Sequence, residues 1–158
     1  MTIIPIAYQV SSKVVKETKE YLRLSSRIQT ELVILWSGVV KDGFAYVRSA
    51  WLPKQYASPG FFAIPGDELF ELNKTIYEIG EQIVAQVHTH PTLAFHSETD
   101  SEFAITAMEG GLSIVIPDFG DESLESLSKC AYFRFMSGHW NKLSQSEVKR
   151  LVRFDKGT

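Results

Sequence analysis

The sequence predicts a mixed α/β fold of the α+β kind, one sheet flanked by helices. Three observations carry that expectation. Apolar, β-branched segments alternate with segments of helical period along the whole chain. One of those segments, "ELVILWSGVV" (31–40), is apolar enough to be buried on both faces. And 158 residues with 44% hydrophobic and 12% aromatic side chains suffice for one ordinary domain, taken as 1–158, with a core of its own.

In chain order, "SKVVKETKEYLRLSSRIQ" (12–29) has the period of an amphipathic helix. Val14, Val15, Thr18, Tyr21, Leu22 and Ile28 mark its inner face, and Ser11 or Ser12 serves as cap. The apolar segment 31–40 is a central strand. "KDGF" is a tight turn from it into "FAYVRSAWL" (44–52), so the two form a hairpin. "PKQYASPGFFAIP" (53–65) is a Pro/Gly-punctuated loop carrying Tyr56, Phe61 and Phe62. "GDELFELNKTIYEIG" is a second amphipathic helix with Gly80 near its C-cap. "EQIVAQVHTH" is a strand and "SETDSEFAITAM" a third helix. "GLSIVIP" and "CAYFRFM" are strands, and "HWNKL" is a further candidate. "SQSEVKRLVRF" closes the chain as a helix capped by Ser144 or Ser146.

Composition narrows the function classes. The net charge is −3, and there is no lysine/arginine run or basic amphipathic stripe, which argues against nucleic acid or an anionic membrane as partner. The first seven residues are apolar but lack the charged start and cleavage site of a signal peptide. No apolar run approaches the roughly 20 residues of a spanning helix. The single cysteine, Cys130, suits a reducing cytoplasm and is expected to be a buried, inert thiol in an apolar-aromatic run.

The stretch "QVHTHPTLAFHSETDSEF" (86–103) gathers three of the four histidines within nine residues and follows them with carboxylates. Strand side chains alternate faces, so His88 and His90 project to the same side, as two ligands of one ion require. Pro91 ends the strand. "SETD" is a helix-start signature, with Ser97 at the cap and Asp100 three residues on, near the positive end of the helix dipole. Two imidazoles and one carboxylate form a hydrolase zinc set with a fourth position left for water, whose pKa zinc lowers to about 7. His-x-His alone occurs by chance, and Ser-x-x-Asp alone is usually only a cap. It is their order in a strand-loop-helix context that points to Zn2+. His96 competes with Asp100 as third ligand, or else it is a loop residue. Glu98, Glu102 and Glu109 are expected on the surface, and His139 is expected to be structural.

Peptide hydrolysis also needs a group that passes a proton to the leaving amine. Glu31 opens the most apolar strand of the chain. By itself it would be an ordinary solvated glutamate at a strand start, but beside a metal site on the same sheet it becomes the candidate base.

Taken together, "ELVILWSG" (31–38), "HTHP" (88–91) and "SETD" (97–100) resemble the JAMM (MPN-plus, JAB) metalloproteases. The resemblance covers nearly the whole chain and is closest to the bacterial stand-alone, deubiquitinase-like type. It implies an MPN-like domain with a central, mostly antiparallel mixed sheet flanked by helices. It also implies a cytoplasmic zinc isopeptidase or peptidase that cuts after the C-terminal tail of a ubiquitin-like protein, with conjugating-enzyme-like partners. Carried over by position, His88, His90 and Asp100 bind zinc, Glu31 holds the water and moves its proton, and Ser97 hydrogen-bonds the oxyanion. Six residues separate His90 from Ser97, one fewer than in commoner members, and Ile34 stands where many carry glycine. Two other expectations stay open. One is a related hydrolase of a sulfur-carrier protein tail or small conjugate, and the other is a non-enzymatic scaffold with a structural metal. An extended tail could pair with a strand edge flanked by Tyr56, Phe61 and Phe62.

Overall fold

The computed structural model describes residues 5, 7–58, 61–90, 109–120 and 130–155. Among the described residues, eight strands form one mixed sheet. They are β1 (Ala7–Val10), β2 (Val33–Lys41), β3 (Phe44–Trp51), β6 (Gln82–Thr89), β7 (Leu112–Ile116), β8 (Ala131–Met136), β9 (His139–Lys142) and β10 (Val152–Phe154). Among the described residues, the short strands β4 (Tyr56–Ser58) and β5 (Phe61–Ala63) pair only with each other. The large sheet runs β10-β1-β3-β2-β6-β7-β8-β9. The β10–β1, β1–β3 and β6–β7 pairs are parallel, and the other four are antiparallel. The expected mostly antiparallel mixed sheet is what forms.

Strand β2 lies between β3 and β6, as its apolar run demands. Its two faces go to different cores. Ile34 and Trp36 join the main core beneath helix α1 (Ser12–Ile28), with Val14, Val15 and Leu22 from the helix and Val87, Ile114 and Tyr132 from the sheet. Val33 and Leu35 face the other way, against Trp51, Ile64, Ile83 and the inner side of helix α2 (Gly66–Glu78). The Trp36 indole donates to the Thr18 hydroxyl at 2.9 Å, so the helix is keyed to the strand by a hydrogen bond as well as by packing. Among the described residues no helix is long and apolar enough to cross a membrane.

The local signals act as expected at several joints. Ser11 caps α1, its hydroxyl accepting from the Val14 N–H at 3.2 Å. Asp42 and Gly43 both take positive φ, the backbone of a tight hairpin turn, and bring Lys41 opposite Phe44. Gly80, at φ 78°, donates its N–H to the Tyr77 carbonyl and ends α2. Ser144 caps α3 (Gln145–Leu151) in a full capping box with Glu147. Cys130 is buried, Glu109 and His139 are exposed, and His139 opens β9.

Four expectations are corrected. Ile28 is 48% exposed, because α1 ends there and Gln29 turns left-handed before the chain reaches the core. Residues 53–65 hold the β4–β5 hairpin, where "YAS" and "FFA" pair as antiparallel strands. The closing helix stops at Leu151, and 152–154 pair in parallel with β1, Tyr8 opposite Val152. Glu31 lies two residues ahead of β2. The expected helix "SETDSEFAITAM" lies outside the described residues.

Candidate metal centre

Cross-strand register builds the site. His88, in β6, sits opposite Val33 of β2 on one side and Val115 of β7 on the other. Its side chain therefore shares a face with Val33, the face turned toward α2 and away from the main core. His90 follows two residues later on the same face. The two rings lie 5.0 Å apart between centroids, tilted by 45°. His88 is fully buried and His90 is 4% exposed. The same-side projection expected from strand alternation is thus present, although His90 stands one residue past the last ladder position.

The backbone of His90 is held from two directions. Its N–H donates to the Ile116 carbonyl at 2.8 Å, and its carbonyl accepts from the Phe119 N–H at 2.7 Å. That second bond comes from a short turn, Asp118–Gly120, in which Phe119 has φ 52° and Gly120 has φ 90°. A β-carbon on Gly120 would stand 2.9 Å from the Leu22 carbonyl of α1, so only glycine lets this turn close onto the helix. Thus α1, the turn and the end of β7 together fix where the second imidazole starts.

Glu31 reaches the same end of the sheet. The Thr89 N–H donates to the Leu32 carbonyl at 3.0 Å. The ladder itself ends at the Val33–His88 pair, and beyond it Leu32 is also tied to Thr89 through the Thr89 hydroxyl, which accepts the Leu32 N–H at 3.0 Å. Glu31 directly precedes Leu32 and is only 3% exposed. Holding a carboxylate out of water is costly unless a partner or a task offsets the loss of hydration.

Side chains the sequence did not single out hold this corner together. Gln55 works as a surrogate strand. Its carbonyl oxygen accepts from the Val33 N–H at 2.8 Å, and its amide donates to the Val33 carbonyl at 2.9 Å. It fastens the segment before the β4–β5 hairpin to the first residue of β2. On the opposite face, the buried Thr89 and Ser25 hydroxyls lie 2.7 Å apart. Thr89 also accepts from the Leu32 N–H at 3.0 Å, and Ser25 donates to the Thr30 carbonyl at 2.6 Å. Farther along β6, the Gln86 amide donates to the Ser113 hydroxyl at 3.2 Å within the sheet.

The donor chemistry suits a divalent metal. Two buried imidazoles, side by side and close to a carboxylate-bearing segment, are borderline-soft nitrogen ligands of the type zinc and its neighbours accept. Among the described residues, no three His, Cys, Asp or Glu side chains gather into a metal-sized cluster. Asp100 and its competitor His96 lie outside the described residues, as does Ser97. The side chains of Tyr56, Phe61 and Phe62 are likewise outside the described part of the structure.

No family model matches the chain. Its fold is similar to the solution structure of protein DSY2949 from Desulfitobacterium hafniense, with a TM-score of 0.67 over 95% of this chain and 94% of that one. At 18% identity that likeness concerns fold alone. In sequence, the chain is 30% identical over 142 residues to the probable metalloprotease y4jG of Sinorhizobium fredii, an alignment spanning 87% of this chain and 88% of that protein. With identity at that level over nearly the full length of both, the chain belongs to the metalloprotease family of which y4jG is a member.

Proposed function

We propose that this chain is a cytoplasmic, zinc-dependent peptidase of the JAMM type, cleaving after the C-terminal tail of a ubiquitin-like protein in deconjugation or precursor processing. The observation that carries the proposal is the pair of buried imidazoles of His88 and His90, 5.0 Å apart on one face, with the buried Glu31 one residue before the Leu32–Thr89 ties at the same end of the sheet. In this reading His88, His90 and Asp100 hold the zinc. Once bound, the metal supplies a Lewis acid and acidifies a water at neutral pH.

The chain's own groups do the rest. Glu31 accepts the proton of the attacking water and returns it to the leaving nitrogen, a shuttle worth roughly 10²–10⁴ in rate. Burial makes this carboxylate effective, because few waters compete for its proton. Ser97 donates its single hydroxyl hydrogen to the carbonyl oxygen as negative charge develops there. It can do so while its lone pairs accept from the backbone of the helix it caps. The substrate tail is extended and binds by main-chain hydrogen bonds to a strand edge beside the β4–β5 hairpin. Gln55 supports that placement, since it fastens the approach to the hairpin at the end of β2 nearest Glu31. Conjugating-enzyme-like proteins are the expected neighbours of such an activity.

The test is incubation of the full chain with candidate ubiquitin-like fusions, with and without a chelator, alongside Glu31→Gln. Cleavage after the tail is expected to cease with chelator and return with zinc. Glu31→Gln should keep the metal and lose most turnover. Chelator-resistant cleavage, or full activity in Glu31→Gln, would overturn the reading.

A further inference from the structure

We propose that Thr89, the residue between the two histidines, and Ser25 of α1 form a hydroxyl relay that positions Glu31. The inference rests on the reading of Glu31 as proton shuttle given above. Strand alternation turns Thr89 away from the imidazoles and into the main core, where both hydroxyl residues are fully buried.

The direction of every bond in the relay follows from the donor inventory. The Ser25 hydroxyl lies 2.6 Å from the Thr30 carbonyl, which can only accept, so its one hydrogen goes there. In the 2.7 Å contact between the hydroxyls, Thr89 is then the donor and Ser25 the acceptor. The remaining Thr89 lone pairs accept the Leu32 N–H at 3.0 Å. The chain therefore runs one way, from the Leu32 N–H through Thr89 and Ser25 to the Thr30 carbonyl, and each bond polarises the next.

The ends of the relay decide its meaning. The Thr30 carbonyl belongs to the peptide before Glu31, and the Leu32 N–H belongs to the peptide after it. Of the two peptide planes that set the backbone of Glu31, the later one is tied to Thr89 directly and the earlier one through Ser25. The neighbours of Thr89 in sequence are His88 and His90. The Thr89 N–H adds a third tie, to the Leu32 carbonyl at 3.0 Å. A single threonine thus fixes the candidate base relative to both candidate nitrogen ligands. Ser25 brings in α1, whose last turn also accepts the Thr30 N–H at the Ser25 carbonyl, 3.3 Å away. Threonine at this place is a positioning residue, since it touches neither metal nor substrate.

The experiment compares Thr89→Val, Thr89→Ser and Ser25→Ala in the full chain. Thr89→Val keeps the shape but removes the relay. Thr89→Ser keeps the hydroxyl. Ser25→Ala cuts the far end and serves if Thr89→Val does not fold. The first readout is amide hydrogen exchange at Leu32, measured without substrate. Protection should fall in Thr89→Val and return in Thr89→Ser. The second is zinc binding, which should stay within about threefold of the parent. The third is turnover. A displacement of order 1 Å can cost about 10²-fold, so kcat in Thr89→Val should fall about 10- to 100-fold with KM nearly unchanged. The same substitution in a Glu31→Gln background should cost little more. Unchanged protection at Leu32 in Thr89→Val would overturn the relay, whether or not any fusion is cleaved. Parental kcat in Thr89→Val, or an equal loss of kcat in the Glu31→Gln background, would overturn its role on Glu31. Full activity in Glu31→Gln itself would instead overturn the shuttle reading.

Discussion

Substituting Gly38 with alanine tests whether the central hairpin is built as described. Gly38 lies where the β2–β3 register shifts, between Ser37 and Gly38. A β-carbon there would stand 1.9 Å from the Tyr46 carbonyl oxygen, 2.8 Å from its carbon and 3.0 Å from the Val47 α-carbon. All three are backbone atoms of β3, so no side chain can rotate to make room. Ordinary contact begins near 3.4 Å, and the two strands must separate by about 1.5 Å. That opening strains the Gly38–Val47 and Val39–Tyr46 pairs next to it. Overpacking costs about 1–3 kcal/mol, and one or two weakened ladder bonds add about 1 kcal/mol each. A total of about 3–4 kcal/mol in a chain of this size lowers Tm by about 10 °C. Thermal unfolding followed by circular dichroism, without metal, measures it. Because Gly38 lies at the far end of β2 from Glu31, zinc binding per folded molecule should survive. A Tm within about 3 °C of the parent would show that the close approach at the bulge is not real.

Other perturbations separate core, cap and site. Trp36→Phe removes the indole N–H that meets Thr18 and should cost about 2 kcal/mol in denaturant unfolding, with part recovered by adding Thr18→Val. Glu147 has its pKa lowered from 4.5, first by the Ser144 backbone N–H, then by the Ser144 hydroxyl and Arg150. Its ionised form therefore stabilises the fold above pH 4.5, and that contribution disappears as the pH falls through the lowered value. Parent and Glu147→Gln should differ in Tm at neutral pH and converge in acid, and a gap that widens in acid would contradict this. Zinc at about 100 times its Kd should stabilise the parent by about 2.7 kcal/mol, and His88→Ala should lose most of that gain in thermal melts with and without zinc.

The sequence exposed those parts of the fold that depend on neighbours in the chain. The turn Asp42-Gly43, the Ser11 cap, the inner face of α1 from Val14 to Leu22 and the same-side pair His88 and His90 all follow from local chemistry. What stayed hidden depends on residues far apart. Strand β1 was not visible as a strand, because four residues, Ala7–Val10, carry too short a pattern. It is defined by parallel partners on both sides, β3 and β10, and the second of these was absorbed into the closing helix. The β4–β5 hairpin had a signal, Ser-Pro-Gly between two aromatic-containing triplets, but Pro and Gly also mark plain loops. Ile28 obeyed the helical period and still faces solvent, since periodicity does not say where the core stops.

The site divides the same way. The histidines were legible because two ligands on one strand are set by alternation alone. Glu31 was legible only through its company, as a charge beside a buried strand, and its place at the histidine end of β6 comes from the ties between Leu32 and Thr89, 57 residues apart in sequence. Gln55, Thr89 and Ser25 carried no signal. A threonine in a strand and a serine in a helix are unremarkable until the fold buries them against each other across 64 residues.

The most direct test of the metal centre is anomalous scattering at the zinc edge from crystals grown with zinc. A single peak in contact with the imidazoles of His88 and His90 and the carboxylate of Asp100, with Glu31 close by but not a ligand, is the expected result. A peak elsewhere on the molecule, or one ligated by Glu31 with either imidazole turned away, would contradict it.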